Sequence, residues 1–328
     1  MLSKRNRGED GAMIGTSWIR EQGLQDPLLV EALRRRGMED VPLWKDGTHA
    51  GQEAMVKRRD DAVRRWAELR PLRDGPVNAE RTEVGDVAAM TADIKQRARD
   101  LGGDDVGITA LKPEFIELGV DIPHKNVIAV IIYEDYAHSL GGPLAVEVEA
   151  MEVYARCAEV STELARYIRE ELGYPALAHH NGSFQIQAIP VFHEVGFGEL
   201  GRHGSLIHPE LGSNFRPGFV TTDLPLDYDH PHEFGVQDYC MNCNLCRANC
   251  PGDAIPDDYI TTNGIKRWLT DIDKCYPISR FREAYCHICI DVCPYIHKEN
   301  GDADKRAIFK EYMRVRKDEG YKSPKGER

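Results

Sequence analysis

The sequence predicts an α+β fold with a separate cysteine-rich unit near its C-terminus. Three observations predict it. Apolar residues at helical and at strand spacing are interleaved between residues 86 and 226. Eight of the nine cysteines then crowd into two short runs. Nothing repeats apart from those runs, which excludes a solenoid or propeller. A chain of 328 residues suits two domains, or one domain with an insertion, and is long enough to bury a sizeable core.

Taken in order, residues 1–85 form a polar extension with charge runs such as Lys57-Arg58-Arg59-Asp60-Asp61. Within it, Gln52 to Leu69 reads as a helix. Pro71 to Gly85, rich in Pro, Gly and Asp, reads as a linker wrapping the main domain. The main domain is expected over 86–226. Asp86 to Leu101 has Val87, Met90, Ile94 and Ala98 on one helical face, ended by Gly102-Gly103. Val106 to Thr109 is a short strand, and Asn126 to Tyr133 is an apolar, β-branched buried strand. Pro143 to Leu172 is a long helix closed by Gly173. Phe184 to Ile189 and Pro217 to Leu224 read as two more strands. The cysteine unit occupies 227–300, and a charged helical tail, frayed at its end, fills 301–328.

The cysteine spacing points to a cofactor. The first run is Cys240-x2-Cys243-x2-Cys246-x3-Cys250-Pro251, and the second is Cys275, then Cys286-x2-Cys289-x3-Cys293-Pro294. This is the bacterial two-cluster ferredoxin pattern with one widened gap. In that pattern a tight turn presents three thiolates, and the fourth cysteine ligates the other cluster. One [4Fe–4S] cluster is therefore expected on Cys240, Cys243, Cys246 and Cys293. The other is expected on Cys275, Cys286, Cys289 and Cys250. Zinc ribbons pair two separated knuckles and need no third cysteine two residues on.

The formal charge of −12 argues against a general nucleic-acid binder, which needs a basic surface. No run of ~20 apolar residues marks a membrane helix, and Met1 to Met13 lacks a secretory apolar stretch. Cysteines in ligand spacing suit a reducing compartment, so a cytoplasmic protein is expected.

Ahead of the cysteines runs Val195-Gly-Phe-Gly-Glu-Leu-Gly-Arg202-His-Gly, then Asn214-Phe-Arg216, then Val220-Thr-Thr-Asp-Leu-Pro-Leu226. This order, followed by a two-cluster unit, resembles the corrinoid-dependent reductive dehalogenases and, more distantly, epoxyqueuosine reductase. The resemblance spans Asp86 to Lys298. It implies a nitroreductase-like domain binding cobalamin base-off, with no histidine on cobalt. It also implies a small-molecule substrate and an external low-potential donor such as ferredoxin or flavodoxin. No twin-arginine leader is present at Met1, so the chain resembles cytoplasmic, non-respiratory members. Short chain length after Tyr295 counts against the tRNA-modifying alternative. A plain two-cluster electron carrier would leave the large preceding domain unexplained.

The resemblance also assigns roles. Tyr154 matches the proton-donating tyrosine, Arg216 the cation beside it and Asn181 a substrate-holding residue. A tyrosine with its ordinary pKa near ~10 is an acid at neutral pH. Gly196, Gly198, Gly201, Arg202 and Gly204 are placed against the corrinoid. Gly196-x-Gly198-x2-Gly201 also matches a dinucleotide fingerprint, but that motif must join a strand directly to a helix, and here Pro190 and a helical stretch intervene.

On the long helix, Val153, Cys157, Val160, Leu164 and Ile168 make one apolar face, so Cys157 reads as a core thiol. Tyr154, Ala158, Ser161 and Ala165 form a stripe of small residues under one tyrosine. A neighbouring helix and a cofactor explain that stripe equally well. His179 and His180 read as polar loop residues. His203, His208, His230, His232 and His287 show no metal-ligand spacing with a carboxylate.

Overall fold

The computed structural model describes residues 51–117, 119–181, 185–262, 265–279, 285–297 and 303–318. A four-stranded antiparallel sheet has the order β1-β2-β6-β3, with β1 Asp105–Ala110, β2 Asn126–Tyr133, β6 Phe215–Thr222 and β3 Ala176–His179. Helix α3 (Gly142–Glu170) lies across one face. Its predicted stripe, Val153, Cys157, Val160, Leu164 and Ile168, meets Ile128, Val130 and Ile132 of β2. The alternate residues Val127, Ala129 and Ile131 point the other way, into a layer with Phe192 and Val195 on and after α4 (Ala188–Glu194). Both faces of β2 are covered, which is why its sequence is continuously apolar although its pairing is antiparallel.

Strand β6 approaches α3 closely. A Cβ on Gly218 would stand 2.9 Å from the Cys157 carbonyl oxygen, so only glycine fits there. The small-residue stripe is now explained. Ser161 packs under Gly218, Ala165 joins the sheet-facing core, and Ala158 meets a neighbouring helix. That helix is α1 (Glu53–Glu68), whose Ala62 and Trp66 bury against Ala150, Met151 and Ala155. Arg58–Glu152 and Arg65–Glu159 ion pairs line the exposed seam and add little. The segment after α1 runs back along the domain: the Asn78 and Thr82 amides donate to Arg169 and Leu172 carbonyls, and Arg73 Nε donates to the Ala178 carbonyl at 2.6 Å.

Helix α2 (Val87–Asp100) starts where Asp86 accepts from the Ala89 amide, an N-cap bond. Over the described residues of the expected strand Phe184 to Ile189 no strand forms. Among its described residues only Ile186 bridges, to Ile116, and α4 begins at Ala188. Pro190 sits in the first turn of α4, where its missing N–H costs no helical bond. Strand β6 also starts two residues earlier than expected. Pro217 is accommodated because β3 ends opposite Phe219, leaving Pro217 unpaired on that side.

Two hairpin strands, β4 (Glu199–Leu200) and β5 (Leu206–Ile207), lead to the cysteine unit. There α5 (Val236–Asn242) and α6 (Leu245–Asn249) carry the first run. Strands β7 (Ile260–Thr262) and β8 (Ile265–Arg267) follow, then α7 (Ile272–Ser279), α8 (Ile288–Asp291), α9 (Pro294–His297) and α10 (Ala303–Asp318). Helix α10 closes the unit, with Phe309 stacked on His297 at 3.7 Å and Tyr312 packed among Cys246, Cys250 and Val292. The expected fraying from Lys322 onward lies outside the described residues.

Candidate functional site

The cysteines sit at the ends of short helices. Cys240 is inside α5, Cys243 ends it, Cys246 is inside α6 and Cys250 ends that. All eight are free thiols rather than disulfides. Two gatherings form. Cys293 packs beside Cys240 and is under the electrostatic influence of Cys246, Cys240 and Cys243. Cys286 feels Cys275 and Cys250, and Cys289 feels Cys286, Cys246, Cys275 and Cys250. Burial pushes the Cys246 thiol up to about 12 and Cys286 up to about 11, and neighbouring thiols add to both shifts. Cys293 and Cys289 are pushed up for the same two reasons. Crowded buried thiols of this kind ionise only with a compensating positive charge, as a metal cluster supplies. The donor set therefore fits iron–sulfur clusters.

The glycine-rich block ahead of them is closely packed by the chain itself. Gly196 and Gly198 have φ of 78° and 149°, and a Cβ there would meet the His230 carbonyl oxygen at 2.4 Å and the Ile207 carbonyl oxygen at 1.9 Å. Gly201 is closed in by Ile207 and His203, and Gly204 by Thr270. These glycines are required by the chain's own packing. They lie between α4 and β4, not at a strand-to-helix turn, which also disposes of the dinucleotide fingerprint.

Arg202 is 2% exposed and faces the first cysteine loop. Its guanidinium donates to the carbonyls of Cys240 (2.7 and 3.0 Å), Met241 (3.2 Å), Pro256 (3.2 Å) and Asp257, and it lies over the Trp268 ring. Glu199 Oε2 accepts from the amides of Phe234 (2.6 Å) and Val236 (3.1 Å) at the start of α5. Glu199 thus secures one end of the first cysteine helix and Arg202 the other. The five residues assigned to a corrinoid all have close protein neighbours: the four glycines on the side where a Cβ would stand, and Arg202 through its guanidinium.

A buried ionic chain lies where the sheet meets the second cysteine set. Arg216, on β6, has its guanidinium carbon 5.1 Å from the centroid of the Tyr154 ring. Its Nε donates to Glu134 Oε1 at 2.6 Å. Glu134 directly follows β2 and is 1% exposed. Burial works to raise the Glu134 carboxyl, yet Arg216, His287 and His138 together hold it below the usual carboxylate range. Burial alone would lower Arg216, and the Glu134 charge keeps it firmly cationic. Tyr285, next to Cys286, packs in the same apolar cluster as Tyr154. Cys157 is a core thiol: its Sγ contacts the Arg216 carbonyl at 3.3 Å, and burial pushes its pKa up.

Beyond Glu134, His287 and Asp291 stand one helical turn apart, with His287 Nδ1 3.1 Å from Asp291 Oδ1. His138 Nε2 faces the same Asp291 oxygen at 3.8 Å. The sequence reading found no metal-ligand spacing between His287 and a carboxylate, and the structure places His287 beside Asp291. The His287-x3-Asp291 spacing was the available signal.

His179 is the last residue of β3 rather than a loop residue, and His180 follows the strand; both are fully buried. His179 Nε2 lies 3.0 Å from Thr221 Oγ1, and His180 Nδ1 lies 3.3 Å from the Asn181 carbonyl. Burial pushes His180 down to about 4 and also pushes His179 well below the usual imidazole range. The β3–β6 register, Ala176 opposite Thr222 and His179 opposite Phe219, runs β3 toward the Arg216 end of β6, where Asn181 leaves the sheet. Residues 182–184 that follow lie outside the described residues.

No family model matches the chain. It is 28% identical over 269 residues to tetrachloroethene reductive dehalogenase of Sulfurospirillum multivorans, covering 67% of this chain and 53% of the relative. It is 30% identical over 154 residues to epoxyqueuosine reductase of Cyclobacterium marinum, covering 40% and 44%. Its fold matches the catabolic reductive dehalogenase NpRdhA, solved with 3-bromo-4-hydroxybenzoic acid, at a TM-score of 0.68 and 25% identity, over 77% of this chain and 39% of that one. The chain therefore spans about half the length of the first relative and about two fifths of the solved one. An α+β fold of the nitroreductase-like, reductive-dehalogenase architecture, with a cysteine-rich ferredoxin-like C-terminal region, relates this chain to the reductive dehalogenase and epoxyqueuosine reductase superfamily.

Proposed function

We propose that this chain is an iron–sulfur oxidoreductase of the reductive-dehalogenase type. It delivers two electrons and one proton to cleave a carbon–halogen or similar bond in a small molecule. The observation that carries the reading is the adjacency of a cationic, half-buried Arg216, a half-buried Tyr154 and the second cysteine set, reached through Tyr285 and His287.

Two [4Fe–4S] clusters would be held by Cys240, Cys243, Cys246 and Cys293, and by Cys250, Cys275, Cys286 and Cys289, and would supply single electrons. The mutual influence of Cys293 with the first run, and of Cys250 with the second, supports that crossed pairing. Arg202 and Glu199 hold the first loop rigid. Tyr154 donates the proton. Arg216 stabilises the tyrosinate left behind, and Glu134 keeps the guanidinium beside the ring. Asn181 orients substrate from the end of β3.

A corrinoid is what the superfamily relationship suggests as the reductant facing substrate. Its support comes from the relatives, and Gly196, Gly198, Gly201, Arg202 and Gly204 are the residues proposed to lie near it. The external donor is a low-potential ferredoxin or flavodoxin. Among the described residues no helix is long and apolar enough to cross a membrane.

The test is halide release from a halogenated phenol by anaerobically reconstituted protein, with and without cobalamin, alongside Tyr154→Phe. Cobalamin-dependent release that falls about 10²-fold in the variant is expected for a lost general acid. Equal release by the variant would remove Tyr154 from the chemistry.

A further inference from the structure

We infer that His138, His287 and Asp291 form a third metal site, for a single divalent ion of the zinc class, separate from both cysteine sets. The ligand atoms of the three residues all lie within 4.8 Å of one another. Asp291 Oδ1 is 3.1 Å from His287 Nδ1 and 3.8 Å from His138 Nε2. Donors around a tetrahedral zinc with bonds of about 2.0 Å stand roughly 3.3 Å apart. Asp291 therefore stands near coordination spacing from both histidines, and the 3.1 Å contact to His287 is within hydrogen-bond distance as well.

The groups at the far side of each imidazole support the same reading. His138 Nδ1 contacts the Asp135 carbonyl, which only accepts, so the ring proton is on Nδ1. Its Nε2 then carries a lone pair, is buried without a hydrogen-bond partner and faces a carboxylate oxygen. Two acceptors turned toward each other call for a cation between them. His287 turns its other nitrogen, Nε2, toward Glu134 Oε2 at 3.8 Å, and that oxygen too is buried with no hydrogen-bond partner. A ligand histidine backed by a carbonyl or a carboxylate is the usual outer arrangement of a metal site. The elements are also held in place beforehand, since Tyr136 Oη donates to the Asp291 carbonyl at 2.7 Å.

An ion here would fasten α8, which carries Cys289, to the short 3-10 helix Tyr136–Gly141 beyond β2. Through Glu134 it would border the Arg216–Tyr154 pair. Two imidazoles and one carboxylate suit zinc or ferrous iron, and burial with no redox demand favours zinc.

The experiment is elemental analysis of anaerobically purified, iron-loaded full-length protein after dialysis against zinc(II) alone and removal of loosely held ions. The wild type should retain about one zinc per chain beyond any iron and cobalt. His138→Gln, remote in sequence from every cysteine, should lose that zinc while keeping its iron and its far-UV circular dichroism. His287→Gln should lose the zinc as well, which covers a His138 variant that fails to fold. No retained zinc in the wild type would overturn the site. Zinc that survives in folded His138→Gln would place the ion in the cysteine sets and also overturn it. Iron is read from the same samples, so failure of the cluster assignment is seen independently.

Discussion

Glu134 Oε1 accepts from Arg216 Nε at 2.6 Å, and this bond joins the edge of the tyrosine site to the second cysteine unit. Neither residue touches solvent freely: the side chains are 1% and 16% exposed. The pair holds a cation against the Tyr154 ring in a place where water cannot.

Replacing Glu134 by Gln should therefore act on both stability and turnover. The change leaves Arg216 as an uncompensated buried charge, which costs about 3–5 kcal/mol in comparable pairs. Urea denaturation should report a loss of that order, and turnover should fall because the guanidinium is no longer held beside Tyr154. A variant with unchanged stability and turnover would show that the bond carries neither role.

Arg202→Met should injure the first cluster and spare the second. The substitution strands carbonyls of the Cys240 loop that now receive a charged donor, each worth roughly 1.5–3 kcal/mol. Iron release to a chelator should accelerate for about half the iron, followed by spectroscopy of the remaining cluster. Uniform release from both clusters, or from neither, would contradict the clamp described here.

The crossed cysteine pairing makes a separate prediction. Cys250→Ser, although it lies in the first run, should damage the cluster carried by Cys275, Cys286 and Cys289. Electron paramagnetic resonance of the reduced variant should retain the signal of the other cluster. Loss of the first-run cluster alone would reverse the ligand map.

Much of this architecture was legible in the sequence. Strand β2 announced itself because a strand covered on both faces must be apolar at every position, and α3 because its buried stripe recurs at 3.6-residue spacing. The cysteine spacing pointed to clusters because a cubane constrains local sequence. Three things were hidden. Arg202 binds backbone carbonyls, which leave no residue-type signature, so this clamp could not be read. His138 meets His287 and Asp291 only through the docking of the cysteine unit on the end of β2, a long-range contact that no local period records. The Phe184 to Ile189 alternation misled because, among its described residues, the sheet-like pattern makes one bridge, at Ile186.

Acid should weaken the fold through the buried histidines. His180 and His203 are each pushed down to about 4 by burial, whereas an unfolded histidine titrates near 6.5. Below about 6.5 the unfolded chain takes up protons that the native state refuses, so stability falls as pH drops from 6.5 toward 4 and changes little above 7. The limit is about 3 kcal/mol per histidine. Denaturation midpoints measured across that window should slope downward toward acid, and His180→Phe should flatten part of the slope. A slope unchanged by the variant would mean that His180 is already protonated in the native state.

The central claim, that eight cysteines hold two cubanes beside the Tyr154–Arg216 pair, is tested most directly by iron and acid-labile sulfide analysis with electron paramagnetic resonance after anaerobic reduction. The account predicts about eight irons and eight sulfides per chain and two interacting reduced [4Fe–4S] signals. One cluster per chain, or zinc bound in place of iron at the cysteines, would contradict it.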